Sequence, residues 1–178
     1  MIKLKDILFE SDPPDIFVPR RIGDRLERYI NHFINNEIDN YDSVLDIQSN
    51  GLTELPEILK DLEIRGSFYC NHNNLTSLKN CPIFVGRIFN CSHNKLTSLI
   101  GAPEYVGRHF YCNRNNLTTL KGVPKRIYGT FLCSNNLLTN LNHCPTEVDG
   151  NFECEDNPAK FKIEDVKKVC DVGLKVYV

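Results

Sequence analysis

Five cysteines recur in this sequence at a constant spacing of 21 residues, and thiols at a regular interval could bind metal, form disulfides or fill a core. No C-x-x-C pair, the usual source of two zinc ligands, is present. Ile47 occupies the cysteine position of the first unit, and a free cysteine behaves as a small, commonly buried hydrophobe. We therefore predict core thiols and no metal or other cofactor. The five are Cys70, Cys91, Cys112, Cys133 and Cys154.

Histidines are the other candidates for chemistry. His72 and His93 are also 21 residues apart, so stacked units would place them about 5 Å from each other. Two neutral imidazoles could hold a metal ion with a third ligand, but no acidic residue on these two units could supply it. His143 precedes Cys144 without an evident base and orienting group for nucleophilic catalysis. A metal- or thiol-dependent enzyme is accordingly the least favoured hypothesis, and we expect that the protein is not an enzyme.

The same period extends to the residues around the cysteines. A phenylalanine lies two residues before each cysteine and an asparagine three residues after it, and two leucines and a proline follow in most units. A constant period of this length is typical of a solenoid, in which each unit stacks on the next. The asparagines of this pattern are Asn73, Asn94, Asn115, Asn136 and Asn157.

Each position of the unit has a physical role. Phenylalanine and cysteine alternate with polar residues, which predicts one face of a short strand. The chain must turn at the asparagine, whose side chain can donate to and accept from the backbone of its own turn and of the neighbouring turn. The prolines stiffen a return segment that is too short for a regular helix. Stacked asparagines would therefore form a hydrogen-bonded ladder.

The pattern F-x-C-x-x-N-x-L-T-x-L resembles the leucine-rich repeat, L-x-L-x-x-N-x-L-x-x-L, with Phe and Cys at two aliphatic positions. The short period is similar to that of the short bacterial repeat type. The resemblance implies an α/β solenoid of about six coils, with short parallel strands on the concave side and irregular return segments. It also implies non-catalytic protein–protein interaction through the concave face. The repeats are expected over residues 45–157.

Both ends of the repeat array should be capped. Residues 20–37 have apolar residues at helical spacing, which predicts a helical N-terminal cap over residues 20–44. Residues 163–171 have helical spacing as well, and Leu174, Val176 and Val178 alternate as in a strand. Residues 158–178 are therefore expected to form a helical C-terminal cap.

Residues 1–19 are expected to form a tail and linker. Residues 1–10 resemble the N-terminal leaders of proteins from large tailed phages, and Leu8-Phe9-Glu10 matches the cleavage motif of the maturation protease. This resemblance implies a cleavable leader that is cut before Ser11. The repeat variety is also similar to that of small repeat proteins that large phages encode. The resemblance implies a phage-encoded protein of the host cytoplasm or the virion.

The composition limits the other partners. Net charge is -2, which gives no general attraction to nucleic acid or to an acidic membrane surface. No apolar run approaches the roughly 18 residues of a membrane span, and charged residues interrupt the N-terminus where a secretory signal would be apolar. We therefore expect a cytoplasmic protein, where disulfides between neighbouring units are also disfavoured.

The strand residues that flank the core positions should form the binding surface. Its middle units offer aromatic, imidazole and guanidinium groups, which are common at interfaces, and its last unit is acidic. We predict that this surface binds an unknown host or virion protein; the alternative is a structural or packaged component of a phage particle. The predicted partner-binding residues are Tyr69, His72, His93, His109, Tyr111, Asn113, Arg114, Glu153 and Glu155.

Overall fold

Each phenylalanine pairs with the phenylalanine one repeat later, so the 21-residue period of the sequence is also the period of the fold. Phe68 lies opposite Phe89, Phe89 opposite Phe110, and Phe110 opposite Phe131, always in parallel. The computed structural model describes residues 22–178. Within this range the repeats form a parallel-strand solenoid, which confirms the predicted fold class.

The strands belong to two faces of the solenoid. The odd-numbered strands form one seven-stranded parallel sheet in sequence order, and the even-numbered strands form two three-stranded sheets on the other side. In chain order the strands are β1 (Val44–Asp46), β2 (Glu63–Ile64), β3 (Ser67–Tyr69), β4 (Phe84–Val85), β5 (Phe89–Asn90), β6 (Tyr105–Val106), β7 (Phe110–Tyr111), β8 (Arg126–Ile127), β9 (Phe131–Leu132), β10 (Glu147–Val148), β11 (Phe152–Glu153), β12 (Asp171–Val172) and β13 (Val176–Tyr177).

The even-numbered strands divide between β6 and β8, where the glycine of the return turn also shifts by one residue. Gly107 directly follows β6, whereas Tyr128 separates β8 from Gly129. A Cβ atom on Gly107 would overlap the carbonyl oxygen of Gly86 in the preceding coil. Glycine is therefore required where neighbouring turns touch, and the extra residue in the later turns accompanies the break in pairing.

The core consists of parallel files of identical side chains. The five phenylalanine rings contact one another along the solenoid, mostly edge-to-face, with ring centroids 5.1–6.0 Å apart, and Cys91, Cys112 and Cys133 are fully buried beside them. The leucines that follow each asparagine close the core from the opposite side, and Leu75, Leu96 and Leu117 have no exposed surface. Each coil thus buries apolar surface mainly against the coils before and after it.

The asparagines form the ladder that the sequence predicts. Asn115 Nδ2 donates to the carbonyl oxygens of Cys112 in its own coil and of Cys91 in the preceding coil, both at 3.1 Å. Its Oδ1 accepts from the backbone N–H of Leu96 at 3.0 Å. Asn94, Asn136 and Asn157 repeat this set of bonds.

All eight cysteines are free and buried, as predicted for the five of the repeat. The thiols of Cys70, Cys91 and Cys112 donate to a backbone carbonyl oxygen of the next coil at 3.4–3.5 Å. Burial raises the pKa of every one of these thiols, and it raises those of Cys154 and Cys170 to about 12. The thiols are therefore neutral core groups, unlike reactive cysteines, whose pKa is lowered.

The two ends differ from each other. Helix α1 (Ile22–Asn36) packs Leu26, Tyr29 and Phe33 on the first coil, and the Tyr29 hydroxyl accepts from the backbone N–H of Asp46 at 3.1 Å. The C-terminal end is only partly helical. Helix α2 (Ile163–Lys167) is shorter than the predicted residues 163–171, and the chain then adds one more coil through β12 and β13.

The helix ends where the chain resumes the pairing of the repeats. The backbone N–H of Asp171 donates to the carbonyl oxygen of Thr146, and that of Gly173 donates to the carbonyl oxygen of Val148. These residues therefore hydrogen-bond to the preceding coil instead of extending α2. The predicted leader and linker, and residues 20–21 of the predicted N-terminal cap, lie outside the described residues. Among residues 22–178, no helix combines the length and apolarity that a membrane crossing requires.

We predict that the central asparagines contribute more stability than the terminal one. Asn115→Ala should lower the free energy of unfolding by about 1–3 kcal/mol, because three buried backbone groups lose their partner. Asn157 makes equivalent bonds but is partly exposed, so water can replace its amide in Asn157→Ala and the loss should be smaller. Urea unfolding of both variants measures the difference, and equal losses would contradict the role assigned to the stack.

We also predict that stability falls steeply above pH 8.5. A thiol pKa that is raised by folding contributes stability below the unfolded pKa of about 8.5, and this stability is lost as the pH rises. Each buried thiol adds up to about 1.4 kcal/mol per pH unit to this slope. Urea unfolding between pH 8.5 and 9.8 in reductant should therefore give a shallower slope for Cys112→Ala than for the parent, and identical slopes would refute the assignment.

Candidate functional site

The residues predicted to bind a partner lie on the outer face of the seven-stranded sheet. We define this outer face as the side of the sheet away from the Phe and Cys files. Its first row holds the residue after each phenylalanine, its second row the residue after each cysteine, and its third row the next residue along the chain. The rows from the second to the sixth coil are Tyr69, Asn90, Tyr111, Leu132, Glu153; Asn71, Ser92, Asn113, Ser134, Glu155; and His72, His93, Arg114, Asn135, Asp156.

All nine predicted residues belong to this face or to its margin. Eight occupy the three rows. His109 precedes Phe110, and its ring stacks on that of Tyr111 with centroids 5.7 Å apart. The structure therefore brings the predicted residues onto one surface, although the acidic Glu153 and Glu155 lie two coils beyond Tyr111 and Asn113.

Every residue of the third row has a left-handed backbone. The φ angles of His72, His93 and Arg114 are 54°, 53° and 54°, and Asn135 and Asp156 have 56° and 54°. Non-glycine residues avoid this region at a cost of roughly 1 kcal/mol, and Asn, Asp and His tolerate it better than most. The conformation fixes how these side chains leave the sheet, and sequence reasoning missed it. The recurrence of Asn, Asp and His at this position was the available signal.

His72 and His93 form a stacked pair. Their ring centroids are 4.0 Å apart and the planes differ by 20°. The pKa of His93 is lowered by partial burial, by His72 and by Arg114 in the next coil. The lone pairs of stacked imidazoles lie in nearly parallel planes and do not converge on one point between the rings. Residues 22–178 contain no group of three side chains that could hold a metal ion.

His109 is held in its neutral form. Its Nδ1 accepts from the backbone N–H of Thr130 at 3.0 Å, so the ring proton is on Nε2. Burial and the neighbouring Arg108 lower the pKa of His109. Burial and Glu153 raise the pKa of Tyr111, which keeps its hydroxyl protonated. The pair presents two neutral, rigid rings, a combination suited to packing against a partner.

Some arginines form ion pairs with carboxylates of the protein and others do not. Arg87 contacts Asp42 at 2.6 Å, and Arg126 contacts Glu147 and Asp149 at 3.2 and 3.1 Å. Arg108 and Arg114, on or beside the outer face, form neither an ion pair nor a side-chain hydrogen bond with any described residue. Two arginines without an ion pair to any described carboxylate therefore lie at the middle coils of this face.

Two polar atoms of the second row are buried without a partner. They are Asn71 Oδ1 and Ser134 Oγ, and their residues are only 6% and 5% exposed. The Asn71 amide nitrogen donates to Gln48 Oε1 at 2.9 Å, and its oxygen has no hydrogen bond among the described residues. A buried polar atom without a hydrogen bond costs about 1–3 kcal/mol, so each of these two atoms lowers stability locally. The sequence offered no signal for this feature.

The adjacent His143 and Cys144 do not form a nucleophilic site. His143 is exposed at a turn with a positive φ of 64°, and Cys144 is buried. Burial raises the pKa of the Cys144 thiol, whereas an activated cysteine nucleophile requires a lowered pKa.

The comparisons with known proteins identify the fold. No protein-family model matches the chain, and no curated protein matches its sequence. Among solved structures, a Shigella effector leucine-rich-repeat domain is similar, with a TM-score of 0.51 and 17% identity over 88% of this chain and 80% of the other. At this identity the likeness concerns the fold alone. It agrees with the parallel-strand solenoid and the 21-residue period described above. The chain therefore has a leucine-rich-repeat-like solenoid fold.

Proposed function

We propose that the protein is a non-catalytic interaction module that binds a partner protein through the outer face. The observation that supports this most directly is the group of aromatic and arginine side chains on this side of the sheet. Tyr69, Tyr111 and His109 are half-buried aromatic groups, and Arg108 and Arg114 form no ion pair with a described residue. Rigid aromatic side chains and arginine are enriched among the residues that dominate interface affinity.

The physical state of the thiols supports a binding role over thiol chemistry. All eight cysteines have raised pKa values because they are buried, so their thiolate fraction near neutral pH is small. A second candidate function is that of a rigid spacer in a phage particle. The unbroken seven-stranded sheet, which would keep the two ends at a fixed separation, favours this candidate.

Paired substitutions on the two faces separate these roles. We predict that Tyr111→Ala with Arg114→Ala will abolish recovery of the partner in a cross-linking pull-down from the native cell, because both anchors of the outer face are lost. The control is Tyr128→Ala with Lys125→Ala, two exposed residues on the opposite side, which should leave recovery unchanged. If both double variants recover the partner as well as the parent does, the spacer role is favoured. If both lose the partner, a binding site specific to the outer face is excluded.

We further propose that the protein is phage-encoded and acts in the host cytoplasm or the virion. This proposal rests on the resemblance of residues 1–10 to phage leaders and on the repeat type. Mass spectrometry of the protein recovered from virions should then give an N-terminus at Ser11. An intact Met1 end on the virion protein would count against the leader.

A further inference from the structure

The charge on the outer face is divided along the solenoid axis. His72, His93 and Arg114 are consecutive in the third row, and Asp156 lies two coils beyond Arg114 in the same row. At about 4.8 Å per coil, the cationic and acidic parts are separated by roughly 10 Å. Between them Asn135 Nδ2 donates to Asp156 Oδ2 at 3.2 Å, so this part of the row is polar and has no positive charge.

The cationic part of the face is available for a ligand, because no described carboxylate forms an ion pair with Arg108 or Arg114. Both arginines are exposed at the surface of the protein.

A polypeptide fits this face better than a nucleic acid. A phosphate backbone has a uniform negative charge, so a strand that bound Arg108 and Arg114 would meet Glu153, Glu155 and Asp156 if it continued along the axis. A polypeptide can place acidic residues at one end and basic residues at the other. Opposite charges in register also suppress binding of the wrong partner.

We propose that the outer face binds a bipolar polypeptide segment, with acidic residues against His72, His93, Arg114 and Arg108 and basic residues against Glu153, Glu155 and Asp156, and that this binding takes up a proton at His93. The proposal rests on the proposed function and specifies its partner. Proton uptake follows from the 4.0 Å stacking of His72 on His93, because a partner carboxylate beside His93 stabilises an imidazolium that partial burial, His72 and Arg114 disfavour in the free protein.

The surroundings of the pair determine the direction of the pH effect. The charged neighbour of His93 in the next coil is Arg114, and its other titratable neighbour is His72; Asn71, Ser92 and Asn113 in the adjacent row are uncharged. Ser49 precedes His72 in the third row and is also uncharged. No carboxylate among these described neighbours therefore stabilises a proton on His93. Binding should strengthen as the pH falls from 8 to 6.

The test uses the full chain and a labelled peptide with a glutamate-rich half and a lysine-rich half. We expect it to bind more tightly than all-glutamate or all-lysine peptides of equal length, and about 3- to 10-fold more tightly at pH 6 than at pH 8. Titration calorimetry in two buffers of different ionisation enthalpy should show net proton uptake. A single-stranded oligonucleotide that bound as tightly as the bipolar peptide would overturn the proposal.

Two variants separate the effect of losing charge from the effect of unfolding the protein. His72→Asn with His93→Asn keeps residues that tolerate the left-handed backbone, so the protein should melt at a similar temperature. This variant should still bind at pH 8 but should lose the pH dependence and the proton uptake. Arg114→Gln should weaken binding about 5-fold or more at both pH values. A pH dependence that survives in the histidine variant would refute the proton linkage.

The outcomes for this inference and for the proposed function can be separated. Suppose the Tyr111→Ala, Arg114→Ala protein loses its cellular partner while the parent binds none of the peptides. The outer face is then a binding site, but not one for a bipolar segment. If the bipolar peptide binds the parent and this double variant equally, the assigned location is wrong.

Discussion

One asparagine per coil makes a hydrogen-bonded connection on which the stack depends. A solenoid coil of 21 residues must turn sharply beside its core, and the backbone groups at that turn cannot all reach water. The Asn115 amide satisfies groups of its own coil and of the coil before it, so the turns of adjacent coils are bonded to each other. The phenylalanine and cysteine files can then remain in register, because each coil keeps the same position and orientation relative to the coil before it.

The register of the repeat was predictable because it depends on residue types that recur at a fixed interval. The period predicted that Phe89 lies opposite Phe110, and it also predicted the buried thiols and the asparagine ladder. The break between β6 and β8 was not predicted, although the shift of the turn glycine by one residue that accompanies it is present in the sequence. The last coil was also missed in part: Asp171 and Gly173 hydrogen-bond to the preceding coil, and this competes with a longer helix.

The composition of the outer face could be derived from strand alternation, but its physical state could not. Alternation assigned Tyr69, Tyr111 and Asn113 to the surface. Two further properties depend on how neighbouring coils meet in space: the stacking of the His72 and His93 rings, for which the period predicted only proximity, and the absence of a hydrogen bond to Asn71 Oδ1 among the described residues. The left-handed row did have a signal in the sequence, the recurrence of Asn, Asp and His at one position, which our reading of the repeat missed.

The uniform length of the coils has a consequence for how such a surface can change over evolutionary time. Duplication or deletion of one whole unit would add or remove about 4.8 Å between the cations and the carboxylates without disturbing the files of the interior. The distance between the cationic and the acidic residues could thus change in equal steps of one repeat. The binding surface could in this way stay complementary to a partner whose own charged residues moved further apart or closer together during evolution. Asn115 and its equivalents would continue to make the same hydrogen bonds.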